Sequence, residues 1–426
     1  MTFRRTSPRT PPRASRKAAR RTRTALPCSV LAGCALLVGC QGGTDATGSS
    51  KSAASATTSP SASAQPHGYV EGAEEASEQQ SRLVLADAGT GTVKVLDLIT
   101  EDVTSLRDSD DVQGLRTDGR FAYLNASGGT RVVDTGAWTV DHGDHVHYYR
   151  AAIRDVGTVA GTDASRVHSD QAVTALSSAQ GDARLLDRKK LEDGTVPRGR
   201  TLTGTDGGPV VPYAEHLLVT ATGAGKDTVE VRDRKGARVT TLKETCAQVR
   251  GEAVTRRGVV FGCADGALLV SEDKGTFEAE KIPYGTAVKA SDRAVDFRHR
   301  AGSTTLAARS GDDAVWVLDV TDRSWTRIAT GPVVAANTAG EGAPLLALGR
   351  DGVLTAYDID TEKSVARKEL LAKGTGSASV EVDSTRAYVN DAAARKVYEI
   401  DYNDRLRLAR TFPLGFAPTY MVETGR

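Results

Sequence analysis

Three of the chain's seven histidines fall within six residues, in Asp141-His142-Gly143-Asp144-His145-Val146-His147. Asp141 to His145 reads as a turn between two strands. His145 and His147 are two residues apart, so on a strand their rings point to one face. With His142 or a carboxylate (Asp144 or Asp141) folding over them, three or four ligands converge. Neutral imidazoles with one carboxylate suit Zn²⁺ and also accommodate Cu²⁺ or Ni²⁺. A nearby Asp can instead accept the other ring N–H and fix a ligand's orientation. His168, in Arg166-Val167-His168-Ser169-Asp170, starts a neighbouring unit and is a further candidate ligand. His216 and His299 are isolated and weaker candidates. His67 precedes the acidic run Glu71 to Glu78, where a flexible flap could help to capture a metal. The alternative for the cluster is a solvated polar hairpin. No Gly-x-Ser-x-Gly, His-Glu-x-x-His, P-loop or dinucleotide motif occurs, and no nucleophile stands out with its base. The residues point to binding and not to catalysis.

The elements that must position this hairpin are legible as a repeat. A short apolar strand ending in Asp recurs at Val95-Leu96-Asp97, Val132-Val133-Asp134, Leu185-Leu186-Asp187, Val231-Arg232-Asp233, Val317-Leu318-Asp319, Ala356-Tyr357-Asp358 and Glu399-Ile400-Asp401, with a degenerate copy at Leu269-Val270-Ser271-Glu272. From Asp97 to Asp401 the spacing averages about 43 residues. Polar turns rich in Gly and Asp separate the strands, and no long helical periodicity appears. Four short strands per unit of this length predict an all-β fold, a β-propeller. Eight blades fill residues 82–424, with seven the count if one unit is a long insertion. The first unit, 82–106, supplies two clear strands. The run Pro418 to Val422 completes it, so the N- and C-terminal strands share a blade and no sheet edge stays open. The recurring Asp residues read as turn formers, since their carboxylates bond local backbone N–H groups.

Ahead of the propeller lies an export segment. Arg and Lys run to Arg23 and are followed by an apolar stretch that ends in Leu37-Val38-Gly39-Cys40. A charged region before so short an apolar one reads as a signal peptide and not as a spanning helix. The last four residues look like a lipobox, which makes Cys40 the lipidated first mature residue and residues 1–40 the signal peptide. Residues 41–81 form a Gly/Ser/Ala-rich tether with an acidic segment, and residues 82–426 form the propeller domain. The expected location is extracytoplasmic, on the outer face of the cell membrane and held there by the lipid alone. Cys28, Cys34 and Cys40 belong to the export segment. The remaining pair, Cys246 and Cys263, lies 17 residues apart and is expected to form a disulfide in an oxidising compartment. Nine of the 55 Lys/Arg residues sit in residues 1–40, where no acid occurs, so the remainder carries 46 bases against 54 acids. That sign excludes nucleic acid as a natural partner. A monomer is expected.

The segment from Val140 to Ala151, with His142, His145 and His147, resembles the signature of AztD-type extracytoplasmic zinc metallochaperones. Gly251-Glu252-Ala253, Phe261-Gly262-Cys263-Ala264-Asp265-Gly266 and Lys281-Ile282-Pro283-Tyr284 are similar to further stretches of that family. The similarity spans roughly 82–424. It implies a secreted β-propeller that binds zinc and delivers it to the solute-binding protein of a zinc ABC importer, with the family's disulfide on Cys246 and Cys263. The chain departs from the pattern where Arg250 precedes Gly251 and at Pro209-Val210-Val211-Pro212-Tyr213; the family has His-containing stretches there, so some of its ligands are absent. Zinc affinity is then expected to be reduced, moved to the His142–His147 hairpin, or lost. The leading expectation, from the cluster itself, is zinc on His142, His145 and His147, with Asp144 or Asp141 completing or orienting them. The alternative function is a non-catalytic lipoprotein scaffold for protein interactions, with a vestigial metal site.

Overall fold

The computed structural model describes residues 69–143, 145–179, 181–220, 227–372 and 376–426. Their strands run near-continuously apolar: Arg82–Ala86 and Gly258–Cys263 are buried at every position. Such runs arise when a sheet is covered on both faces. Leu83 and Leu85 pack into one cluster with Tyr388, Val397 and Phe412, whereas Val84 and Ala86 pack into another with Leu115, Ala122 and Leu124. The period-two alternation of a strand thus divides its side chains between two different interfaces.

Among the described residues, eight antiparallel four-stranded sheets result. The first takes Arg82–Ala86, Val93–Asp97 and Val103–Ser105 from the N-terminal side and Tyr420–Thr424 from the C-terminal side. The next seven follow in chain order over 114–160, 166–202, 210–245, 252–283, 294–329, 333–369 and 380–413. Eight core clusters join these blades, one between each sheet and the next, and the last joins blade eight to blade one. The count is eight, and the first unit supplies three strands where two were expected. Strand Tyr420–Thr424 pairs with Arg82–Ala86 through five residue pairs, as the shared-blade reading requires.

The recurring Asp residues largely form turns. Asp97 accepts from the backbone N–H of Ile99 and Thr100, and Asp319 from Thr321 and Asp322. Asp187 caps the five-residue helix Arg188–Glu192. Asp401 is the departure: its carboxylate pairs with Arg407 at 2.8 Å and Arg386 at 3.4 Å. Outer strands can alternate exposed polar or charged residues with partly buried ones, as in Thr276–Pro283, where exposed Thr276, Glu278 and Glu280 alternate with Phe277 and Ala279, which blunts them as edges. Cys246 and Cys263 form a disulfide with Cα atoms 4.9 Å apart. It ties the end of blade four's outer strand to the second strand of blade five. A loop of this length is worth about 3 kcal/mol in the chain-entropy account. Among the described residues no helix is long and apolar enough to cross a membrane.

Among the described residues, one further sheet lies outside the blades. Between the third and fourth strands of blade two, the chain leaves to form a hairpin, Ala137–Asp141 with Val146–Arg150. A strand from the N-terminal side, Glu74–Ala76, pairs with the second arm to make a three-stranded sheet. The sequence assigns this acidic segment to the tether; an unsatisfied strand edge on the hairpin and opposite charges, Glu74 against Arg150 at 2.8 Å, draw part of it into a sheet.

Candidate metal centre

The hairpin is held at its neck and base. Gly136 has φ +68°, and a Cβ there would meet the Ala151 carbonyl oxygen at 2.3 Å. The Gly136 carbonyl in turn accepts from the Ala151 N–H at 2.7 Å. The buried guanidinium of Arg82 donates to the carbonyls of Thr135 and Ala151 on the two sides of this neck. Above it Trp138 and Tyr149, which face each other across the two arms, stack with ring centres 5.3 Å apart. Arg120 lies 3.8 Å over the Trp138 ring and is itself anchored to buried Asp134. Tyr149 then stacks 6.3 Å from His147, as expected for side chains two apart on one strand.

At the tip, the His142 N–H donates to the His145 carbonyl at 3.0 Å, closing a turn that folds His142 back over His145. The rings of His142 and His145 stack at 4.9 Å, and His147 meets both edge-on at 5.4 and 4.9 Å. His145 sits in the turn and not on the strand, yet it still joins His147. One ligand nitrogen from each of the three lies within 4.8 Å of the others. Tetrahedral zinc, with bonds of about 2.0–2.1 Å, needs nitrogens roughly 3.3 Å apart. Two of the three imidazoles are exposed, so a small side-chain rotation closes that difference.

Glu75 completes the arrangement. Its Oε1 lies 2.6 Å from Nδ1 of His147, which leaves Nε2 for a metal. A carboxylate behind a ligating imidazole fixes its tautomer and raises its basicity. Glu75 escaped the sequence reading because its run looked like solvated tether. The signal that could have found it is the pairing of Glu74 with Arg150, opposite charges in register across an edge strand. Asp141 does not complete the shell: its Oδ1 accepts from the Gly143 N–H at 2.7 Å and its Oδ2 lies 3.7 Å from Arg256. Asp144, His67 and Cys40 lie outside the described residues.

His168 belongs elsewhere. It is on the inner strand of blade three, where Nε2 is 3.1 Å from Glu252 on the inner strand of blade five. Arg166 reaches the same carboxylate at 3.3 Å, so His168 is a wall residue of the central channel and does not join the hairpin cluster. His216 packs against Phe277 and bonds the Ala214 carbonyl. His299 lines the channel, bonded to the Val254 carbonyl, and its pKa is pushed down to about 4. Its enclosure is the main cause, with the cations of Arg426, Arg298 and Arg300 beside it.

No family model matches the sequence, and no curated protein matches it significantly. Solved structures do match in fold. A crystal structure of AztD from Citrobacter koseri superposes with a TM-score of 0.69 at 16% identity, covering 82% of this chain and 98% of that one. The apo form of the same protein gives 0.68 at 16% identity, covering 81% and 98%. Dihydro-heme d1 dehydrogenase NirN, in complex with DHE, gives 0.51 at 14% identity over 81% of this chain and 75% of that one. The agreement with AztD runs over nearly the whole of its chain and over about four fifths of this one. This chain is built on the fold of AztD.

Proposed function

We propose that this protein is a zinc metallochaperone that works by binding, carrying one Zn²⁺ on His142, His145 and His147 and passing it to the solute-binding protein of a zinc ABC importer. The observation that carries this reading is the convergence of three imidazoles at the tip of a hairpin whose base is rigidly stacked, with Glu75 behind one of them. The fold shared with AztD agrees with the resemblance of the His-rich segment to the AztD-type family and supports the same reading. Three nitrogens and an open fourth position suit a cargo that must be released. A receiving protein can approach the exposed rings of His142 and His145 and replace them one at a time. His147, backed by Glu75, is the natural last ligand to let go. Lipidation at Cys40, with the protein held at the outer face of the membrane, would keep the site near an importer.

The test is metal analysis of the protein purified without a histidine tag, followed by zinc titration. One zinc per chain is expected, and its loss in a His145→Ala/His147→Ala double variant locates the site. No zinc above background at micromolar free metal overturns the reading.

A further inference from the structure

The central channel holds a second feature, unrelated to the hairpin. A cavity of about 600 Å³ is lined by the inner strands of blades two, three, five and six together with Arg426. Its walls carry four arginines, Arg116, Arg166, Arg298 and Arg426. The carboxylates around it are already engaged. Glu252 is bound by Arg166 and His168, Asp118 by Arg188, and Asp296 stands 3.8 Å from Arg309. Arg426 has Glu381 and Glu423 at 3.6 and 3.8 Å. Arg116 and Arg298 have no such partner among the described residues.

These two residues come from blades two and six, opposite each other in a ring of eight. The Arg116 guanidinium is fixed: its Nε donates to the Ser165 carbonyl at 2.9 Å and its Nη1 to the Leu115 carbonyl at 3.0 Å. Those bonds leave Nη2 for a ligand. Burial lowers its pKa, and repulsion from Arg298 is the strongest charge effect upon it. Asp296 and Glu252 offset part of that repulsion, but neither forms an ion pair with Arg116 or Arg298, and an anion between the two guanidiniums would relieve the rest. A planar guanidinium fork matches the paired oxygens of a carboxylate or phosphate, which a single small ion such as chloride does not. The volume lies within the range usual for small-molecule sites.

We propose that the central channel binds a small multivalent oxyanion, clamped between Arg116 and Arg298. Neutral His299, on the blade-six side of the same wall, donates Nε2–H to the Val254 carbonyl and adds no charge to the site. The site is independent of the zinc reading, since none of its residues belongs to the hairpin.

Isothermal titration of the metal-free protein at low salt with inorganic phosphate, and separately with citrate, tests this. One anion is expected to bind per chain, at least tenfold more weakly in both Arg116→Gln and Arg298→Gln, with circular dichroism confirming that each variant is folded. Saturation by phosphate alone assigns a phosphate ligand, and saturation by citrate alone assigns a polycarboxylate. No saturable binding of either anion up to about 10 mM, or binding unchanged in both variants, overturns the proposal.

Discussion

Glu75 reaches His147 only because Ala76 and Glu74 pair with Tyr148 and Arg150, which sets Glu75 opposite Tyr149, two positions along from His147. On such a sheet the diagonal neighbour is within side-chain reach. Removing the carboxylate while keeping the shape isolates its role. Glu75→Gln is expected to weaken zinc about 10- to 100-fold while leaving one site per chain, read by competition with a chromophoric chelator. An unchanged affinity would mean that Glu75 does not orient His147. The cluster was visible in sequence because three histidines stood together, whereas His168 misled, since a lone strand histidine carries no mark of which blade it faces. Its partner Glu252 is 84 residues away.

At the scale of the element, the hairpin is an insertion whose two ends must meet at one point. Gly136 sits there with a positive φ and a carbonyl where any side chain would go. Gly136→Ala is expected to cost about 1–3 kcal/mol locally. It should open the neck, increase hydrogen exchange across 137–150 and weaken zinc. Exchange in that segment equal to that of the unaltered protein would show that the neck does not set the hairpin. The turn itself was legible, because Asp141 and Gly143 are turn residues between apolar arms. The third strand was not. Three residues, two of them Glu, carry no periodicity, and they become a strand only because an edge awaits them.

Across the whole molecule, each blade contributes to two of eight interfaces, and the repeated strand–Asp pattern made this architecture readable over most of the chain. Charged positions on the inner strands were not readable, because nothing local distinguishes a channel-facing carboxylate from a solvated one. Glu423 is such a case. Its side chain is fully buried, with Arg426 3.8 Å away, and its pKa is raised to about 8 by burial, with Asp383 and Glu381 adding to the rise and Arg426 and Ser81 opposing it. A folded-state pKa above the ordinary 4.5 means that the native state holds a proton which the unfolded chain has lost. Its contribution is complete below pH 4.5 and fades as pH rises through 8. The thermal midpoint should therefore decline over that window, and Glu423→Gln should flatten the decline. Identical slopes in the two proteins would place the charge of Glu423 elsewhere than in the folding balance.

The joint between the ends of the chain also sets an order of events. Strand Arg82–Ala86 lacks its inner neighbour until Tyr420–Thr424 arrives, and Thr139 on the hairpin donates to the carbonyl of Gly425 at 2.8 Å. A chain delivered N-terminus first therefore displays its three histidines long before it can seat them. A copy clipped before Tyr420 would therefore lack both the strand that completes blade one and the Gly425 carbonyl that braces the hairpin.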